Sequence, residues 1–123
     1  MTNLRKLIES AWDDRTLLQE NITKKAIRSI IDLLDKGELR VAEPTPKGWQ
    51  VNEWIKKAVV MYFPIQTMKS IEVGPFEFHD KIPLKKGYAE KGVRVVPQAV
   101  ARHGAYISKC NILMPSYVNI GAY

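Results

Sequence analysis

The sequence predicts an α+β domain of helices plus a hairpin over residues 1–92, continued over residues 93–123 by the first turns of a parallel β-helix. Three observations carry that prediction. Apolar residues recur at helical spacing in three stretches, Pro44-Thr45-Pro46-Lys47-Gly48 supplies turn chemistry between two short extended runs, and a six-residue period takes over from Val100. Val100, Tyr106, Ile112 and Val118 form one series, and the small residues Gly104, Cys110, Ser116 and Ala122 keep the same interval four positions later. A period of 3.6 would scatter such positions around a helix, and a flat strand needs no small residue at one phase. Hexapeptide units account for both series: each is a short strand plus a bend, with a bulky side chain inward and a small one where the wall turns.

Taken in order, Leu4, Leu7, Ile8, Ala11 and Trp12 predict a short amphipathic helix ending near Asp13-Asp14. Ile27, Ile30, Ile31 and Leu34 form the stripe of a second helix, capped by Asn21 or Thr23 and closed by Gly37 in a left-handed conformation. Neither helix places a titratable residue on its apolar face by this reading, so both are core builders. Leu39–Glu43 and Trp49–Val51 are expected to pair as the hairpin. Asn52 then caps a third helix lined by Trp54, Ile55, Ala58, Val59 and Tyr62, which should stop before Pro64. Residues 65–74 show no period and read as loop. In Pro75–Pro83, Phe76 and Phe78 alternate with Glu77 and His79 as in an edge strand. Lys85-Lys86-Gly87 and Glu90-Lys91-Gly92 read as a polar connection, and Val93–Val96 opens the next extended segment.

Composition excludes several classes of function. With 46% hydrophobic and 26% charged residues in 123, the chain reads as an ordinary soluble globular protein. The longest apolar run, Ala58–Pro64, is too short to cross a bilayer, and the amino terminus lacks a secretory apolar stretch, so the cytoplasm is the expected compartment and no membrane partner is expected. The net charge of +6 is diffuse: of 19 basic residues only Arg102 and Lys109 follow residue 99, and no basic run interleaves with aromatics. That pattern argues against nucleic acid and suits small anionic metabolites. The single cysteine, Cys110, occupies a small-residue phase, for which a buried structural role is expected. No Gly-rich phosphate loop, metal-ligand spacing or nucleophile elbow occurs, so no metal and no bound cofactor are expected. His79-Asp80 could orient a general base but has no nucleophile or metal-ligand partner at a recognisable spacing.

The run Leu113-Met114-Pro115-Ser116-Tyr117-Val118-Asn119-Ile120-Gly121-Ala122-Tyr123, preceded by Gly92-Val93-Arg94-Val95-Val96-Pro97, resembles the start of the hexapeptide domain of tetrahydrodipicolinate N-succinyltransferases. Gly37–Glu43, Trp54–Val59 and Phe78–Pro83 fit the same family, so the resemblance spans about Leu4 to Tyr123. It implies that the β-helix is left-handed and that this chain is the amino-terminal part of an enzyme more than twice as long. The implied reaction transfers succinyl from succinyl coenzyme A, a co-substrate, to the amino group of ring-opened tetrahydrodipicolinate in lysine and diaminopimelate biosynthesis. The implied assembly is a homotrimer with sites between adjacent β-helices.

By the same resemblance Arg94 contacts the dicarboxylate acceptor, a role that suits a guanidinium because it forks onto a carboxylate through two parallel hydrogen bonds. Arg102, with His103, is a weaker candidate, a wall residue of the first repeat. Residues 100–123 contain no Asp or Glu, so the catalytic acid and base are expected beyond residue 123 and the isolated chain is expected to be inactive. Two other readings stay open at this point: another hexapeptide acyltransferase with a different donor or amine, and a non-catalytic assembly module.

Overall fold

The computed structural model describes all residues 1–123. Three helices, α1 (Thr2–Asp13), α2 (Asn21–Lys36) and α3 (Glu53–Ile65), pack against one another, and a 3-10 turn at Arg15–Gln19 links the first two. Asp14 starts that turn: its carboxylate accepts from the Thr16 hydroxyl at 2.6 Å and the Thr16 amide at 3.1 Å, which holds its pKa below the ordinary carboxylate value. The core is the apolar stripe read from the sequence. Ile27, Ile30, Ile31 and Leu34 of α2 are fully or almost fully buried, against Ile8 and Ala11 of α1 and Ile55, Ala58, Met61 and Tyr62 of α3. Burying each of the large aliphatic side chains contributes roughly 1.5–3 kcal/mol, which makes this three-helix contact the main source of stability. Gly37 closes α2 with φ 75, its amide reaching back to Leu33 and Leu34 carbonyls.

Three elements depart from expectation. The first hairpin is shifted: β1 (Ala42–Thr45) pairs antiparallel with β2 (Gly48–Val51), so Pro44 and Thr45 lie in the strand and the loop shrinks to Pro46-Lys47. A two-stranded sheet is all edge, so Pro44 can turn its missing donor outward, and the Thr45 hydroxyl tightens the loop by donating to the Gly48 carbonyl. Helix α3 runs through Pro64 to Ile65. Its terminal carbonyls find side-chain donors, Lys81 Nζ on Phe63 O at 3.1 Å and Arg28 on Ile65 O at 3.5 Å, so the turn is held despite the proline. Finally, the stretch expected to be loop contains β3 (Lys69–Val73), which pairs with β4 (Phe76–Asp80), the strand that was expected. Gly74, φ 56, occupies the first of two loop positions with Pro75 behind it, the arrangement a type II′ hairpin turn requires.

After residue 92 the chain pairs with itself in parallel. Strand β5 (Arg94–Val95) lies beside β7 (Ile112–Leu113), Arg94 opposite Ile112, eighteen residues on. Strand β6 (Val100–Ala101) lies beside β8 (Tyr117–Val118), but Val100 faces Tyr117, seventeen residues on. One residue has been lost at the corner containing Pro115. The six-residue period is therefore real from residue 92 to 112 and slips by one afterwards, so Val118 faces Ala101 and not Val100. The two sequence series also have a different meaning from the one expected. Ile112 is 55% exposed, while Val93, Ala101 and Ala105 are buried.

The first two members of the small-residue series, Gly104 and Cys110, mark backbone conformation, whereas Ser116 and Ala122 have no positive φ. Gly92, Gln98, Gly104 and Cys110 all have positive φ, at 67, 78, 99 and 69, one such corner every six residues. Cys110 is exposed, not buried as its phase suggested, because its place in the repeat is a left-handed corner on the outside. A side chain in that conformation is strained by about 1–2 kcal/mol, of which the extra chain entropy of glycine takes back about half. Cys110→Gly should therefore raise the midpoint of thermal unfolding, corresponding to about 0.5–1 kcal/mol, and Cys110→Val should lower it.

Candidate functional site

The tail is fastened to the helices by a buried charge cluster that no sequence motif announced. Asp35 lies one turn beyond Ile31 on α2 and so shares its buried face. Its Oδ1 accepts from Lys85 Nζ at 2.7 Å and from the Gly104 amide at 3.0 Å, with His103 Nδ1 at 3.5 Å. Lys85 also donates to the Asp35 backbone carbonyl at 3.0 Å, placing a cation at the carbonyl end of α2, where the helix dipole favours it. Lys85 belonged to an expected polar connection, yet its side chain is 1% exposed. Beside it, His103 Nε2 meets Asp32 Oδ1 at 2.8 Å, and the His103 amide donates to the Pro83 carbonyl. Burial pushes the Asp35 pKa up, but the Lys85 hydrogen bond, the Gly104 amide and the charges of Lys85 and His103 together hold it below the ordinary carboxylate value. Burial, with the Asp35 charge behind it, pushes the Tyr88 phenol above its usual range.

A second junction centres on Arg102. Its guanidinium donates to Asp80 Oδ2 at 3.0 Å and to Asn119 Oδ1 at 3.4 Å, and lies over the rings of Phe63 and Tyr117 at 5.6 and 5.8 Å. Arg102 thus ties β4 and α3 to β8 and to Asn119, the residue after it. His79 and Asp80, neighbours in sequence, point to opposite faces of β4: His79 Nδ1 bonds the Ser70 hydroxyl at 2.8 Å while Asp80 takes Arg102. They form no orienting pair. Arg94, on β5, is exposed and stands on the other strand pair, apart from the Asp80–Arg102 junction. No group of three or more His, Cys, Asp and Glu is placed to hold a metal ion. No helix is long and apolar enough to cross a membrane.

These features define a class: an α+β amino-terminal domain of three helices and small antiparallel hairpins, continued by a segment that pairs with itself in parallel. Residues 3–65 match the family model described as tetrahydrodipicolinate N-succinyltransferase N-terminal, and the chain belongs to that family. It is similar to the 2,3,4,5-tetrahydropyridine-2,6-dicarboxylate N-succinyltransferase of Cupriavidus necator, at 47% identity over 97% of this chain and 47% of the relative. The enzyme of the same name from Pseudoalteromonas translucida is 44% identical over 99% of this chain and 48% of its own length. That from Ralstonia nicotianae is 47% identical over 97% and 47%. The chain spans about half the length of the curated relatives it matches.

Proposed function

We propose that this chain is the amino-terminal part of an N-succinyltransferase that moves a succinyl group from succinyl coenzyme A to the amino group of ring-opened tetrahydrodipicolinate. The observation that carries this reading is the identity of 44–47% across nearly the whole chain to enzymes bearing that name. In the reaction the amine lone pair attacks the thioester carbonyl, giving a tetrahedral oxyanion. The C–S bond then breaks, the amide forms, the amine proton passes to a base and the coenzyme A thiolate leaves to be protonated. The protein's work is to hold two anionic partners in line, accept that proton and stabilise the oxyanion. The base belongs to residues beyond 123, so the 123-residue chain alone is inactive.

The architecture we infer for residues 93–123 is the first coils of a left-handed parallel β-helix, following an amino-terminal domain of residues 1–92, with the complete enzyme a cytoplasmic homotrimer. Support comes from the parallel pairs β5·β7 and β6·β8 and from left-handed corners at every sixth residue from Gly92 to Cys110. Triangular coils of three hexapeptides return the chain beside itself after eighteen residues, the offset of Arg94 and Ile112. In the chain extended by its natural downstream sequence, thiol release should require both succinyl coenzyme A and tetrahydrodipicolinate. Release with acetyl coenzyme A at equal efficiency would point to the other acyltransferase reading, and no release with any donor to the assembly module.

Arg94 is the residue of this chain we assign to the acceptor, through a two-pronged bond to one of its carboxylates. Exposure and the absence of a structural commitment like that of Arg102 support the assignment. In the extended enzyme Arg94→Ala should weaken the acceptor's apparent affinity by about ten- to a hundredfold, the loss of a charge-assisted pair, and leave the donor's nearly unchanged. Arg94→Lys should restore part of it, since the charge survives and the planar fork does not. Unchanged kinetics for the acceptor in Arg94→Ala would remove Arg94 from the site.

A further inference from the structure

The β3–β4 hairpin stands uncovered. Every residue from Thr67 to His79 is exposed, and neither strand packs on another helix or strand. In its register Ile71 faces Phe78 and Val73 faces Phe76, and these apolar side chains share one face while each remains about half exposed. Ser70, Glu72, Glu77 and His79 share the other face, where Glu72 stands directly opposite Glu77, a like-charge pair that weakens a hairpin. Residues flanking a two-residue loop bond to each other, so Val73 with Phe76 and, counting down, Ile71 with Phe78 use their main-chain groups within the hairpin. The N–H and C=O groups of Ser70 and Glu72 on one edge, and of Glu77 and His79 on the other, point outward and have no main-chain partner. A two-stranded hairpin with a bare apolar face is marginal in water unless a further strand or layer covers it.

We propose that the outer edge of β4 pairs antiparallel with β4 of a second copy of this chain, about a twofold axis at Phe78. In that register Phe78 meets the partner's Phe78 and Glu77 meets the partner's His79, the second contact occurring twice by symmetry. The outward groups of Glu77 and His79 then bond each other, as the alternation of an antiparallel ladder requires. The charges agree as well. Glu77, repelled by Glu72, gains a histidine whose Nδ1 is engaged by the Ser70 hydroxyl at 2.8 Å and whose Nε2 is left to donate. Side-chain faces are kept across a sheet, so the partner's Phe76 arrives beside Asp80 at the mouth of a cleft of ≈ 500 Å³ lined by Phe78, Ile82, Leu84, Val100 and Tyr117. The β3 edge offers less. The same operation about Ile71 sets Ser70 against Glu72 and Lys69 against Val73, so no opposite charges meet and a lysine guards the end of the strand. Twofold pairing cannot build a trimer, so where the complete enzyme is a homotrimer the contact joins two of them. Succinyl transfer does not depend on it, and either can fail alone.

Sedimentation velocity of the purified protein over a concentration series tests it, together with cysteine trapping. The joint is short, so the doubled species should grow with concentration. Phe78→Lys, at an exposed position, sets two ammonium groups face to face on the axis and should halve the mass of the assembly. His79→Glu puts a carboxylate opposite the partner's Glu77 and should do the same. Adding Glu77→His to it restores a carboxylate–imidazole pair and should recover the doubling. In a Cys110→Ser background, Phe78→Cys should link to its own copy on mild oxidation, because directly opposite residues that do not bond each other lie within disulfide reach. Ile71→Cys should stay unlinked. Equal mass in the parent and in Phe78→Lys, with native circular dichroism in both, would overturn the contact and is the result expected if another partner or segment covers the hairpin. Failure of Phe78→Cys to link would overturn it equally, and linking through Ile71→Cys alone would move the copy to the β3 edge.

Discussion

Lys85→Met should destabilise the protein by about 3–5 kcal/mol, a large part of what a single domain has to lose. Methionine fills similar volume, so the loss is not one of packing. It comes from leaving Asp35 buried with the Gly104 amide and no cation, and from taking the donor off the Asp35 carbonyl at the end of α2. Lys85→Arg should not rescue, because a planar guanidinium does not fit where a compact ammonium is enclosed at 1% exposure. The double variant Lys85→Met with Asp35→Leu should recover part of the loss, since an apolar pair no longer strands a charge, but the Gly104 amide would then lack its acceptor. Urea denaturation of the four proteins gives the comparison. Lys85→Met within about 1 kcal/mol of the parent would mean the pair contributes no more than an exposed one.

The same pair sets the acid limb of stability. Because Asp35 is held below its unfolded value in the folded state, its contribution is fully present above the unfolded pKa near 4 and is lost as pH falls through the folded one. Below about pH 4 the parent should lose stability more steeply than Asp35→Asn. The asparagine variant, weaker at neutral pH, has no proton to take up there. Parallel curves over that range would show that Asp35 is not the group responsible.

How much of this was legible in the sequence depends on whether the information is local. The α2 stripe, the Gly37 stop and the alternation of Phe76 and Phe78 are set by near neighbours and were read correctly. Two of the corners, Gly104 and Cys110, were visible, though as small side chains and not as positive φ, while Gly92 and Gln98 lay outside the series, and the slip at Pro115 is invisible because the sequence keeps its period where the backbone drops a residue. Asp35 had a readable signal: its spacing from Ile31 puts a carboxylate on the buried face, where a partner is obligatory. That the partner is Lys85, fifty residues on, is a fact of tertiary packing. For Arg102 the sequence offered a wall residue, and only the fold brings Asp80 and Asn119 to it.

Gly104→Ala should cost about 2–5 kcal/mol, through two separable effects. Residue 104 adopts φ +99, outside the space an alanine occupies without strain, and that part follows the backbone alone. The added Cβ would also lie 2.7 Å from Ile120 Cγ1 and 3.0 Å from Ile31 Cγ2, so the tail would have to move off α2. Such movement would in turn pull the Gly104 amide from Asp35 and the Gly104 carbonyl from the Gly121 amide. An Ile120→Ala background isolates the Ile120 part of the contact, because it removes the atoms at 2.7 and 3.1 Å while leaving φ and the Ile31 contact at 3.0 Å unchanged. In that background Gly104→Ala should cost at least about 1 kcal/mol less than in the parent, the coupling expected of side chains in contact. The remainder combines the backbone strain with the Ile31 contact and should persist. Equal costs in both backgrounds would leave strain and the Ile31 contact as the whole effect, and a cost under about 0.5 kcal/mol in the parent would show that the tail is not seated on α2 at this glycine.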